Sequence, residues 1–428
     1  MTFERYGARR YGNGDIIQVP FVRAGNWVFG TGLRAVAPDG VMDPAVLRAH
    51  RPLGAAPQAQ REAEAIFGAM HSHLEQAGSA MDRVARLDQY YPDSRHVDPY
   101  HVARKQALAG QVAPSTSVVV DGLLNLDASM DVQVMAATRD SGYTPRKAGT
   151  QKLNVPQTSG YAPCLRVGDM VFVAGQLARD ATGSIAPEAM VPPGQLWNGT
   201  RIKLETDYLV QKRLVPALEA AGSRMDLVLK AQVYLSHDED LPAFWQSWSR
   251  AFDGRVPPTT VVPVRHPAFG TSAATIEVNL VAAHESAAGH VRDIHCDVSL
   301  IAPDMMPARV FDGVLFVAGL MGIEDGGLCA GAHVEPSAPF YDDPVRAQMD
   351  DILQKAATIF TAAGTDLSRV TRALHLHADL AEFRRGYMAW DPALRAAGLP
   401  FSAVQVAPRL FLPGAAVILD LWAHVPAA

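Results

Sequence analysis

The chain has 428 residues, 48% hydrophobic and 19% charged, with a formal net charge of −6. That length suits about three domains of roughly 150 residues, and the acidic balance excludes the basic footprint of a nucleic-acid-binding surface. Cys164, Cys296 and Cys329 are too few and too far apart for a disulfide framework or a zinc knuckle, and neither a signal-peptide core at the start nor a run of about 18 apolar residues appears, so the expectation is a cytoplasmic protein with no membrane and no nucleic-acid partner.

In chain order, the first strong element is an apolar strand ending in glycine, Trp27-Val28-Phe29-Gly30-Thr31-Gly32. It returns as Met170-Val171-Phe172-Val173-Ala174-Gly175 and as Leu315-Phe316-Val317-Ala318-Gly319. Aromatic and β-branched residues bounded by turn signals support a strand each time. A polar loop rich in glycine and proline follows, such as 178–199. A helix comes next, with Leu204, Tyr208, Val215 and Leu218 at helical spacing.

That helix ends in a repeated phrase: Ala77-Gly78-Ser79, Ala221-Gly222-Ser223 and Ala363-Gly364-Thr365. The glycine suits a left-handed C-cap. A strand follows, clearest at 228–235. A second helix is expected to begin near Asp98-Pro99, Asp240-Leu241-Pro242 and Asp379-Leu380-Ala381-Glu382, where aspartate caps the amides and Glu382 could close a capping box. Two strands complete each round: 116–120 with 130–135, 259–266 with 275–281, and 403–406 with 417–422. Polar segments at 141–156 and 285–293 read as linkers.

Gly78, Gly222 and Gly364 lie 144 and 142 positions apart. A period of that length means a whole domain repeated three times, divided here as 1–145, 146–290 and 291–428. The expected fold class is α+β, each repeat a β-sheet backed by two helices on one face. The sheets' other faces would bury one another in an intramolecular pseudo-trimer, with clefts between units where pockets form. Further homo-oligomerisation stays open.

The second repeat carries Gly160-Tyr161-Ala162-Pro163-Cys164-Leu165-Arg166-Val167-Gly168-Asp169-Met170-Val171-Phe172-Val173-Ala174-Gly175-Gln176, then Glu219-Ala220-Ala221-Gly222-Ser223, then Val256-Pro257-Pro258-Thr259-Thr260-Val261-Val262. With these motifs the chain resembles the reactive intermediate deaminase (Rid, YjgF-like) family. The resemblance implies a cofactor-independent hydrolase that turns enamines or imines into ketones and ammonia between subunits of a trimer, with no metal. The family's carboxylate-binding arginine falls on Thr116, Thr259 and Ser402, so it is absent from all three repeats. The family's acid on the last strand falls on Gln133, Asn279 and Asp420, and its tyrosine is matched by Tyr161.

Two functions follow from this pattern. One is a Rid-type small-molecule hydrolase acting on an imine, enamine or related C–N bond, with Asp420 first and Glu277 second as the water-positioning carboxylate. Thr259, Asn279, Tyr161, Thr116, Gln133 and Ser402 would then shape the pocket. Arg265 and Arg409 would be relocated anion clamps, or else strand-end arginines in solvent. The other is a non-catalytic small-molecule-binding protein that kept the scaffold and lost the arginine. His375 and His377 share a strand face, but without a third ligand they read as a polar buried pair or a surface strand. Arg86, Lys230 and Arg372, each eight residues past the repeated glycine, read as solvated cations at a strand start. The serine–lysine dyads of the barbiturase and cyanuric acid hydrolase family, which also builds threefold clefts, are not matched here.

Overall fold

The computed structural model describes residues 2–47, 53–109, 113–148, 161–197, 199–335, 337 and 342–427. Gly160, which opens the second repeat's motif, and residues 149–156 of the first linker lie outside them. Three mixed sheets account for most of the strands. In the first, the spatial order is Phe3–Tyr6, Phe21–Ala24, Trp27–Leu33, Asp131–Ala137, Val84–Tyr91, Ser115–Val119. The second runs Arg146–Lys147, Cys164–Val167, Met170–Gln176, Ile276–Ala283, Val228–Leu235, Thr259–Pro263. The third runs Arg292–Ile294, Ala308–Phe311, Val314–Val317, Val417–His424, Val370–His377, Phe401–Gln405, and borrows Gly122–Leu123 at its edge. In each, the last two core strands are parallel and the rest antiparallel.

Both polar linkers therefore contribute edge strands, at Arg146–Lys147 and Arg292–Ile294. A backbone that passes an open sheet edge gains a ladder of hydrogen bonds whatever its composition.

The repeated Ala-Gly-(Ser/Thr) phrase has a direct physical reason. Gly364 caps its helix in the left-handed region at φ +83°, and Gly78 and Gly222 turn the same way at +74° and +71°. The hydroxyl after each glycine then donates to a carbonyl near the end of the last strand. The pairs are Ser79 to Ala137 and Ser223 to Ala283, both at 2.6 Å, and Thr365 to His424 at 2.7 Å. A second recurrence accompanies it. Glu62, Glu205 and Gln348, all buried on the long helices, accept the amides of Ser129, Thr275 and Ala416 in the loop entering the last strand.

The helices depart from expectation at their ends. Asp93, not Asp98, makes the cap bond in the first segment, on the 3₁₀ turn Ser94–His96 that leads into the second helix, and Asp240 makes no side-chain cap bond. Asp379 accepts from the amide of Ala381, but Glu382 pairs with Arg385, so no capping box forms. The corresponding helix of the third segment is split into Phe383–Tyr387 and Pro392–Ala397. Asp391 restarts it, accepting from the amides of Ala393 and Leu394 ahead of a proline that lacks an N–H.

The long helix of the second segment is interrupted differently. Between Arg201–Leu209 and Val215–Ala220 it widens into a π turn, Val210–Leu214. Pro216 follows at once; it cannot donate to the preceding turn and crowds its carbonyl, and a π bulge relieves this.

On the faces away from the helices the three sheets share one apolar core. Trp27, Phe29 and Met135 from the first sheet meet Phe172, Leu229 and Val281 from the second and Phe311, Phe316 and Trp422 from the third. Trp27 and Phe172 meet in a T-shaped pair with centroids 6.0 Å apart, and Phe29 and Phe316 each form one with Trp422. Such aromatic pairs contribute about 0.5–1.5 kcal/mol each beyond the area they bury. No helix among the described residues is long and apolar enough to cross a membrane.

Candidate functional site

The strand register fixes which residues correspond. Across the central pair, Asp88 faces Gln133, Gln232 faces Asn279, and Leu374 faces Asp420. Two residues earlier on each last strand stand Asp131, Glu277 and Ile418. On the parallel edge, Asp88 pairs with Thr116, Gln232 with Thr260 and Leu374 with Ser402. This corrects the sequence alignment by one residue: Thr260, not Thr259, corresponds to Thr116 and Ser402. Thr259 instead bonds its hydroxyl to the carbonyl of Pro257 and receives the indole N–H of Trp248.

Each of these three hydroxyls meets a last-strand polar residue of the next sheet. Asn279 donates to Thr116 at 2.8 Å, Thr260 donates to Asp420 at 2.5 Å, and Ser402 donates to Asp131 at 2.9 Å. Gly175 and Gly319 allow the close approach. A Cβ on Gly319 would press on Thr260, and one on Gly175 would lie 1.9 Å from Glu277 Oε1 and 3.2 Å from Thr116 Cγ2.

Arg86, Lys230 and Arg372 are not solvated. They are 4%, 1% and 3% exposed and point between the sheets. A register shift precedes each, between Val84 and Arg86, Val228 and Lys230, and Val370 and Arg372. A bulge there re-aims the side chain, which the repeat spacing cannot reveal. Arg86 donates to Asp88, Gln232 and Asn279. Arg372 donates to Gln133 and Asp420, both across or within the same seam network.

Asp420, the first-choice catalytic carboxylate, is fully buried between Lys230 at 2.8 Å and Arg372 at 2.6 Å. Burial opposes its charge, but the two cations and the Thr260 hydroxyl outweigh it and hold the carboxyl at about 2. Both oxygens are therefore occupied, Oδ2 by Lys230 and Thr260 and Oδ1 by Arg372. Burial lowers Lys230 to about 8 against the pull of Asp420. Gln133, proposed as pocket lining, is likewise occupied by Arg372.

Glu277 has the opposite surroundings. It is 6% exposed and makes no hydrogen bond or ion pair among the described residues. Burial raises its carboxyl to about 8; Arg179 opposes that shift and Asp88 adds to it. Tyr161 belongs to the same seam: burial raises its phenol, Glu277 adds to the rise, and Arg179, Arg213 and Arg104 counter it. Arg213 comes from the π turn and donates to Gln176 at 3.2 Å, while Arg179 donates to Thr271 at 2.7 Å. Neither arginine was singled out from sequence. The π turn was signalled only by Pro216 inside a helical pattern.

The equivalent place in the first sheet is closed. Arg34 pairs with Asp131 at 2.7 Å, with both side chains inaccessible. Tyr11 receives Arg34 at 2.8 Å and donates to Gln18, the residue that stands where the second segment has Tyr161. In the third sheet the acid is replaced by Ile418. Arg265 and Arg409, offered as anion clamps, are surface residues instead. Arg265 pairs with Asp121 at 2.8 Å and Arg409 with Asp238 at 3.5 Å, both far more exposed than Glu277. A strand end that emerges from the sheet leaves a long cation in water.

His375 and His377 are a buried pair rather than a surface feature. Their rings are parallel within 4° at 6.0 Å, so their in-plane lone pairs run side by side and do not converge on one ion. A concavity of 1840 Å3 runs along the loop from His295 to Pro307 and reaches none of Glu277, Tyr161 or Arg179. Chemistry, not volume, singles out the Glu277 seam.

Residues 152–284 match the family model described as Endoribonuclease L-PSP. None of the curated proteins compared with the chain matches it. Among solved structures, yeast Mmf1 is 19% identical and aligns over all of its own length and 33% of this chain, with a TM-score of 0.27. A Yersinia pestis protein of unknown function from the conserved Rid family is 16% identical over 99% of its length and 33% of this chain, with a TM-score of 0.26. A chorismatase is 13% identical over 93% of its length and 80% of this chain, with a TM-score of 0.46.

Proposed function

We propose that the chain is three divergent Rid-like units in tandem, bounded near residues 145 and 290 and assembled as an intramolecular trimer. In this reading it is a cofactor-independent hydrolase of a small imine or enamine. The family match over 152–284 and the common strand order of the three sheets support the architecture. The net charge of −6 favours a small-molecule substrate over nucleic acid.

The observation that carries the chemistry is the unpaired, buried carboxyl of Glu277, lifted to about 8 beside Tyr161 and Arg179. Imine hydrolysis adds water to the carbon of C=N and then expels ammonia from the resulting carbinolamine. A carboxyl that holds its proton near neutrality can give it to the nitrogen and take one back from the attacking water. Asp420 supports the seam and takes no part in proton transfer. Only one of the three seams works: its counterparts hold the Arg34–Asp131 pair and Ile418.

The test is ammonia release from 2-imino acids and enamines generated in situ by an amino-acid oxidase or a dehydratase. Acceleration by the wild type, lost in Glu277→Gln, is the expected result. If no imine or enamine is accelerated while a small metabolite still raises the melting temperature, the chain is a binding protein and the hydrolase reading fails.

A further inference from the structure

We infer that Thr116 is a hydrogen-bond donor aimed into the Glu277 seam, and that Arg86 and Asn279 are the positioning residues that make it one. The argument is one of proton accounting. A guanidinium has no acceptor, so the Asn279 atom that Arg86 Nη2 meets at 2.6 Å must be the amide oxygen. That leaves the Asn279 nitrogen facing Thr116 Oγ1 at 2.8 Å, and the hydroxyl is therefore the acceptor in that bond. Its own proton is uncommitted, because no group among the described residues accepts it.

The other two seams spend that proton. Thr260 gives it to Asp420 while accepting from Lys230, and Ser402 gives it to Asp131. An acid in the last strand consumes the hydroxyl proton; the amide of Asn279 releases it. The change occurs in the one seam whose neighbouring carboxyl, Glu277, is also free.

Both groups pack against the same residue: an added Cβ on Gly175 would lie 1.9 Å from Glu277 Oε1 and 3.2 Å from the Thr116 methyl carbon. The ligand atom that Thr116 recognises is thus an acceptor, such as the oxygen of a carbonyl or carboxylate. This rests on reading the seam as a substrate site, and the donor's direction can be measured without any substrate.

Neutron diffraction from deuterium-exchanged crystals of the wild-type protein reads it directly. The expected map has two deuterons on the Asn279 atom facing Thr116, and a hydroxyl deuteron off that line. A hydroxyl deuteron on the line to Asn279, with the amide reversed, overturns the inference. With 2-iminopropanoate made in situ, Thr116→Val should lower kcat about 10²-fold with little change in KM, and Thr116→Ser should restore it. Wild-type turnover in Thr116→Val, alongside loss in Glu277→Gln, refutes the donor and leaves the hydrolase standing. The expected neutron map without turnover of any imine does the reverse.

Discussion

Asp131 and Glu277 occupy the same register position in two sheets, opposite Tyr90 and Tyr234, yet only one carries a partner. Asp131 is bound by Arg34 and Ser402, whereas Glu277 has no hydrogen-bond or ion-pair partner among the described residues. The difference comes from the residue that follows each first-hairpin strand: Arg34 lies near enough to neutralise Asp131, and the matching Leu177 cannot. A single seam is thereby left with a titratable acid.

Glu277→Gln should abolish turnover and alter the pH dependence of stability. The folded-state carboxyl is raised from an ordinary 4.5 to about 8, so between those values the folded protein holds a proton that the unfolded chain has lost. Stability therefore falls as pH rises through that window, by up to about 1.4 kcal/mol per pH unit. Urea unfolding from pH 5 to 9 should show the slope in the wild type and a flatter profile in the variant. Equal slopes would mean that Glu277 ionises normally.

Gly175→Ala should damage the site more than the fold. Its φ is not in the left-handed region, and the clash at 1.9 Å is with the end of the Glu277 side chain. The carboxyl can swing away at a cost of about 1–2 kcal/mol, but it leaves its working position. A kcat loss of at least tenfold with a melting temperature shifted by only a few degrees is expected. A fully active variant would show that the Glu277 carboxyl has no working position beside Gly175.

Asp420→Asn should act on stability. It leaves Lys230 and Arg372 facing each other without the carboxylate between them, and breaking a buried pair from one side costs roughly 3–5 kcal/mol. Denaturant titration measures this. A loss under 1 kcal/mol would contradict the ion-pair assignment.

His375 and His377 should set the acid limit of the fold. Burial depresses both, His377 to about 4 and His375 well below its usual value, with the neighbouring imidazole contributing to His375. The unfolded chain takes up protons from about pH 6.5 downward and the folded chain does not. Stability is thus complete above that pH and lost progressively as pH falls towards 4 and below. Replacing both with leucine should flatten the acid limb in a thermal scan series; an unchanged limb would assign acid unfolding to other groups.

Much of this was legible in the amino-acid order. The strand expected at 228–235 is present with those bounds, and the Ala-Gly-(Ser/Thr) phrase marks a turn and tether made three times over. The site was harder to read. Pro257 and Pro258 offer two places from which to count, so Thr259 was matched where the pairing of Gln232 with Thr260 decides otherwise. Arg86, Lys230 and Arg372 looked like solvated strand starts because a bulge leaves no mark in composition. Asp420 and Glu277 were both plausible acids because a carboxylate's role depends on what lies within a few ångströms of it.

The sequence by itself determined the period and the alternation of strands and helices, both of which are local patterns of residue type. Which carboxyl is pinned and which is free was decided only in the folded chain. The cations that pin Asp420 come from positions 230 and 372, one from each side of a seam, and the arginine that pins Asp131 is 97 residues away from it. Charge pairing and desolvation act through distance in space, and no spacing along the chain encodes them.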